Sequence, residues 1–229
     1  MFLRPLVPLA LSAAGSALLL AGVGSNLGLF FGGIIITTIL LPALILAEED
    51  LLGRAMALGA VVLPVAGGWL VPVFGQLEFM SWLASLGVLL VYGLAVGGLA
   101  CLLERVGLSA LFAAAVVTVA GLLWLSWPIW MAPWLRSADV AAWLVAPHPL
   151  LTLNGILREW YPVPWAQHVL AYPLTNLGDD VPYSLPTHIG WAVALHLPMG
   201  IGGIAASLWH GLPARELSHK QDAHATLRR

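Results

Sequence analysis

Residues 27–47 read LGLFFGGIIITTILLPALILA, an uncharged run closed by Glu48, Glu49 and Asp50. A helix rises about 1.5 Å per residue, so crossing a hydrocarbon layer roughly 30 Å thick takes about 20 apolar residues. This run places a span over 28–47, and the three carboxylates mark where the chain leaves the apolar layer. The same test, worked outward, marks five more segments: 5–24, 55–75, 79–103, 108–127 and 187–209. Each holds almost no formal charge. The expected fold is all-α, a polytopic membrane helix bundle with six transmembrane helices. Residues 1–209 read as one transmembrane domain, with a long outer segment over 128–186, and 210–229 as a cytoplasmic tail. Pro64 and Pro72 should kink the third span and Pro198 the sixth. The carbonyls freed by such breaks must find partners on neighbouring helices.

Composition supports the same class. Of 229 residues, 60% are hydrophobic and 9% charged, against about 25% charged in a soluble domain. Mean hydropathy is +0.93. So few charged side chains cannot cover a soluble surface. A disordered chain, a nucleic-acid binder and an ordinary soluble enzyme are thereby excluded. The net charge of −2 provides no strong field to select a partner. A single cysteine, Cys101, leaves no intrachain disulfide and no cysteine-based zinc or iron–sulfur site. The first apolar run, with Arg4 before it and AGVGS near its end, has the look of a signal peptide. Another apolar run follows within a few residues, however, so it reads as a retained span.

Lys and Arg set the orientation. With six spans, Arg4, Arg54, Arg105, Arg215, Lys220, Arg228 and Arg229 share one side; Arg136 and Arg158 take the other. Both termini are therefore expected in the cytoplasm, with the chain in the cell inner membrane.

The segment 128–186 is too apolar for a solvated loop. Seven of the eleven tryptophans, Trp124, Trp127, Trp130, Trp134, Trp143, Trp160 and Trp165, fall within 124–165. Indoles settle at the headgroup level, so the segment should lie along the outer interface or dip partly into the membrane. Ser137 should cap a short helix running through Val145, ended by Pro147 and Pro149. Leu150, Leu153, Leu157 and Trp160 then share one helical face before Pro162 and Pro164. A further short helix is expected from about Trp165 to Tyr172, followed by a turn region and a last span capped by Thr187. Two readings stand for this segment: a structural cap over the bundle, or an outer gate. Its pathway or gate candidates are His148, His168, Asp179, Asp180, Trp160 and Trp165.

His196 lies inside the sixth span, and a polar group at that depth faces the bundle interior more often than lipid. His188 precedes it by eight positions, about 80° of helical rotation, so the two are only loosely on one face. They are the cofactor-binding candidates, with no cofactor identified. The histidine spacing shows no metal signature. No carboxylate sits mid-span, which counts against a proton- or sodium-coupled carrier. Neither a serine nucleophile motif nor a Walker loop nor a dinucleotide fingerprint is present, so no catalytic residue is assigned and no enzyme is expected. The Glu48–Asp50 cluster reads as a solvated helix end or a docking surface for a cytoplasmic partner. Gly28/Gly32, Gly93/Gly97 and the Gly200, Gly203, Ser207 face are helix-packing signals that permit an oligomer.

The layout is similar to the ABC exporter-type membrane permeases. Six spans with both ends cytoplasmic are joined, between the fifth and sixth, by WPIWMAPWLRSADVAAWLVAPHPLLTLNGILREWYPVPWAQHVLAYPLTNLGDDVPYSLP. In that family the corresponding region forms short extracellular helices above the pathway. The resemblance implies a homo- or hetero-oligomer in the bilayer with a cytoplasmic ATPase. It is one of topology and assigns no residue a role. The expected function is a non-catalytic integral membrane subunit, a transporter permease component. The alternative is an accessory or cofactor-contacting subunit of a membrane redox, photosynthetic or respiratory complex. Cysteines introduced at Asp180 and Asp222 in a Cys101→Ser background should label from opposite faces of sealed vesicles. Labelling from one face would overturn the six-span topology.

Overall fold

The computed structural model describes residues 26–67, 78–157 and 184–209. Among these the chain is entirely helical. The helices are α1 (Asn26–Leu46), α2 (Leu51–Gly67), α3 (Phe79–Arg105), α4 (Ala110–Trp130), α5 (Ala138–Val145), α6 (Pro149–Leu157) and α7 (Gly190–Trp209), with one 3-10 turn at Ala132–Trp134. Three of them are long and apolar enough to cross a membrane: Phe79–Arg105, Ala110–Trp130 and Gly190–Ser207. Phe30–Leu46 and Leu51–Ala66 are shorter apolar helices. Helices α5 and α6 are bent by 85° at their junction and together make a broken span or a re-entrant loop. The molecule is membrane-embedded. The segment 5–24, the end of the third span beyond residue 67 and the tail 210–229 lie outside the described residues.

Local chemistry sets the helix ends. The carboxylate of Asp50 accepts from the Gly53 N–H at 2.6 Å, and the Asp50 carbonyl accepts from Arg54 N–H. Asp50 therefore caps α2, which starts at Leu51, four residues before the expected 55. Helix α3 stops where Gly107 takes φ +103°, a left-handed conformation that lets the Leu108 N–H reach back to the Leu103 carbonyl. The Ser109 hydroxyl then caps α4 through Phe112 N–H. Helix α4 runs on through Pro128 to Trp130, three residues past the expected end. Ser137 holds the expected cap position of α5, yet its hydroxyl makes no cap bond. Thr187 does not cap the last span either: α7 begins at Gly190.

Helices α1, α3 and α7 run one way and α2 and α4 the other. Thr38 meets Tyr92 and Ile45 meets Gly97; further along, Leu94 meets Gly200 and Gly98 meets Gly203. Charges divide between the two ends. Glu48, Asp50, Arg54, Glu104 and Arg105 gather where α1 and α3 finish; Glu78, Arg136 and Asp139 lie at the opposite end. At the first end Arg54 ties α2 to its neighbours. Its guanidinium donates to the Glu48 carbonyl and to Cys101 Sγ, both at 3.2 Å, and sits 4.0 Å from the Glu104 carboxylate.

Helix α3 is the hub, with α1, α2, α4, α6 and α7 all packed on it. Its glycines set the distances. A Cβ on Gly93 would lie 2.8 Å from Leu58 Cδ1 of α2, and one on Gly98 would overlap Gly200 of α7. Gly200 in turn packs on the Leu94 backbone, where an added Cβ would come within 2.7 Å of a carbonyl carbon. Such contacts let helix backbones approach closely where lipid provides no hydrophobic drive. Large apolar side chains such as Leu111 (84% exposed) and Ile201 (57%) point outward, as suits a lipid-facing surface. The expected face Leu150, Leu153, Leu157 exists in α6, but it turns inward: all three side chains join a core cluster with Phe30, Ile34 and Leu89.

Gly202, one turn-position from the α3 contact, faces open space. Gly200→Ala should therefore lower the stability of the purified protein by about 1–3 kcal/mol through overpacking. Gly202→Ala should leave it unchanged or raise it slightly. Thermal unfolding in detergent checks the pair; equal effects would mean the α3–α7 contact is not set by Gly200.

Candidate functional site

Pro128 lies inside α4 and has no N–H, so the carbonyl of Trp124, four residues earlier, loses its helical donor. His148, at the α5–α6 bend, fills that vacancy: its Nε2 lies 3.1 Å from the Trp124 oxygen. Its Nδ1 accepts from the Leu151 N–H at 3.2 Å. A carbonyl can only accept and an amide N–H can only donate, so the ring is neutral with its proton on Nε2. The imidazole is fully buried, edge-on to Trp127 at a centroid distance of 5.7 Å and tilted against Trp124 at 5.4 Å. His148 thus joins α4 to the bent α5–α6 pair, and no face of it meets solvent.

Two clefts open at the Asp139 end. One, of about 540 Å³, is lined by Asp139, Trp143, Ser184, Thr187, His188 and Trp191. The other, of about 610 Å³, is lined by Glu78, Ser81, Gly155, Ile156, Thr187 and His188. Thr187 and His188 form the ridge they share. Trp143 and Trp191 meet edge to face at 5.6 Å beside the first cleft, and both are exposed. Gly155 is pressed so closely on the Pro186 carbonyl that a Cβ there would overlap it. Next to it, Asn154 is fully buried, and among the described residues neither its amide oxygen nor its amide nitrogen has a hydrogen-bond partner. Buried amides are nearly always paired, and an orphan costs about 1–3 kcal/mol.

A third cavity, of about 260 Å³, lies between α3, α4 and α7. Tyr92, Val96, Val117, Trp124, His196 and Met199 are among its walls. His196 is 4% exposed, and its Nδ1 donates to the Ala192 carbonyl at 2.8 Å. Its ring stands edge-on to Tyr92 at 5.4 Å. Tyr92 is bonded at 2.9 Å to Thr38 Oγ1, which itself donates to the Ile34 carbonyl at 2.8 Å. The Tyr92 hydroxyl is therefore the donor to Thr38.

The candidates named from the sequence fall in different places. His188 lines the two clefts at the Asp139 end, His196 the third cavity and His148 the buried joint; they do not converge. His168, Asp179, Asp180, Trp160 and Trp165 lie outside the described residues. Among the described residues no group of three or more His, Cys, Asp or Glu could hold a metal ion. Asn154, Tyr92, Thr38 and Trp124 were not singled out for chemistry in the sequence. The signal for Asn154 is an amide in PLLTLNGIL, where the one other polar side chain is Thr152. Comparison with protein-family models, with curated proteins and with solved structures finds no match.

The His148 joint can be tested by a double-mutant cycle. His148→Ala strands the Trp124 carbonyl and the Leu151 N–H, at about 1–3 kcal/mol for each buried group left unpaired. Pro128→Ala restores an N–H within reach of the Trp124 carbonyl. In that background the same His148→Ala change should cost about 1 kcal/mol less. Strict additivity in unfolding measurements would show that His148 does not serve the proline break.

Proposed function

We propose that the chain is a non-catalytic integral membrane subunit, a permease component of a transporter working with a cytoplasmic ATPase. The observation that carries this reading is α6 with Asn154. Non-helical backbone at membrane depth occurs where it is buried in protein or lines a cavity, and in transporters broken helices build the substrate site. Here the short helix after the 85° bend is buried against α1 and α3, its Gly155 lines a cleft at the Asp139 end, and among the described residues the adjoining Asn154 amide is unpaired. An orphan amide one residue from the cleft wall suits a polar substrate group arriving from that side.

Arg54 and Arg105 at one end, against Arg136 at the other, favour placing the Arg54 end in the cytoplasm of an inner membrane. The α1–α2 connection at Glu48–Asp50, held by Arg54, then offers the surface for the ATPase.

A tagged chain purified gently from native membranes should bring a nucleotide-hydrolysing subunit with it. In that complex Asn154→Leu should abolish substrate-stimulated ATP hydrolysis while melting at the same or a higher temperature, because an apolar isostere removes an unpaired buried amide. A chain that purifies without such a partner, or full activity in Asn154→Leu, overturns the permease reading. A visible absorption band in the purified complex turns it toward the redox-subunit alternative.

A further inference from the structure

We infer that the cavity between α3, α4 and α7 is a binding site for a neutral, membrane-dissolved molecule whose apolar body ends in a hydroxyl group. The inference stands apart from the permease reading, since it uses a different face of the bundle and none of the same residues.

Three observations carry it. Among the described residues nothing closes the cavity on its outward side, which faces lipid. Helices α4 and α7 both lean on α3 without extensive packing on each other, and the lip residues Leu195 and Met199 are 39% and 42% exposed. A molecule dissolved in the bilayer can enter sideways without crossing a headgroup layer. Its walls are apolar and aromatic, with Val96, Val117, Trp124 and the ring of Tyr92 around about 260 Å³. That is slightly below the roughly 300 Å³ at which drug-sized sites begin, and suits one ring or a short branched segment with its tail left in lipid.

The third observation chooses the head group. His196 spends its Nδ1 proton on the Ala192 carbonyl, so Nε2 carries a lone pair. That atom makes no hydrogen bond among the described residues. The Tyr92 hydroxyl cannot complete it, because its proton is already directed to Thr38 on α1. An unpaired acceptor on a ring only 4% exposed, in an apolar wall, calls for an O–H donor. An acyl chain would fill the space and leave the lone pair stranded. A carboxylate would bring a charge with no cation among the described residues to meet it, since Arg54 and Arg105 sit at the bundle end. A neutral alcohol or phenol satisfies both the walls and the nitrogen.

The chain in lipid nanodiscs should bind 4-decylphenol saturably, read by isothermal titration or quenching of tryptophan emission. Its methyl ether, which has the same body and no donor, should bind about five- to tenfold more weakly, and decanoic acid no better than the ether. His196→Leu should bring the phenol down to the level of the ether. Met199→Trp, at the half-exposed lip, should block both ligands while leaving His196 untouched, and Gly202→Ala should change neither. Farnesol in place of the phenol separates two sources of the same chemistry. Preference for farnesol marks an isoprenoid alcohol and preference for the phenol marks a ring-headed one. Equal affinity for phenol and ether in the unmodified chain, or uptake proportional to lipid with no saturation, overturns the inference, whether or not His196→Leu folds.

Discussion

A carbonyl at membrane depth has no water to turn to, and Pro128 frees one at Trp124. The chain answers with a side chain 24 residues further on. His148 donates to that oxygen and accepts from the Leu151 N–H, so one neutral imidazole serves a broken helix and the start of another. Much follows from this joint. With the backbone groups at the bend satisfied, α6 can leave the interface and lie in the bundle, where a free helix end would otherwise cost several kcal/mol. The α5–α6 bend of 85° then carries the exposed Trp143 outward and buried Leu150, Leu153 and Leu157 inward.

Around that joint the bundle is spaced by missing side chains. Helix α3 uses one glycine set, Gly93 and Gly97, toward α1 and α2, and another, Gly98, toward α7. The second contact is backbone on backbone, which fixes α7 tightly against α3. Because α7 is held by α3 and not by α4, a gap remains between α4 and α7, and the His196 cavity occupies it. The same glycine contact that stabilises the bundle therefore shapes its lateral site.

Among the described residues, Asn154 and His196 both keep side-chain polar atoms without a hydrogen bond, as do the Trp124 and Trp127 indoles, and the first two differ in kind. Asn154 presents both a donor and an acceptor near a polar cleft at the bundle end. His196 presents one acceptor to an apolar cavity open to lipid. The first suits a polar substrate arriving from the aqueous side, the second a hydroxylated molecule arriving from the membrane. Neither arrangement needs a metal or a catalytic base, and both lie away from the Arg54 cluster that ties the opposite end together.

The sequence by itself determined what depends on composition and period. Uncharged runs of membrane-spanning length require helices, since no other open structure satisfies its backbone in lipid. The Leu150, Leu153, Leu157 spacing defines a helical face, and prolines at 147 and 149 separate α5 from α6. Periodicity says which residues share a face but not what covers it, so the same leucines were equally compatible with an interface and with a core. Only the tertiary structure decided that they are buried against Phe30 and Leu89. It also decided that His148 belongs to Trp124 and that His196 lines a cavity. These are pairings between residues distant in the chain, and they depend on which helices approach closely. That approach is set by glycine contacts such as Gly98 with Gly200, whose geometry no local pattern encodes.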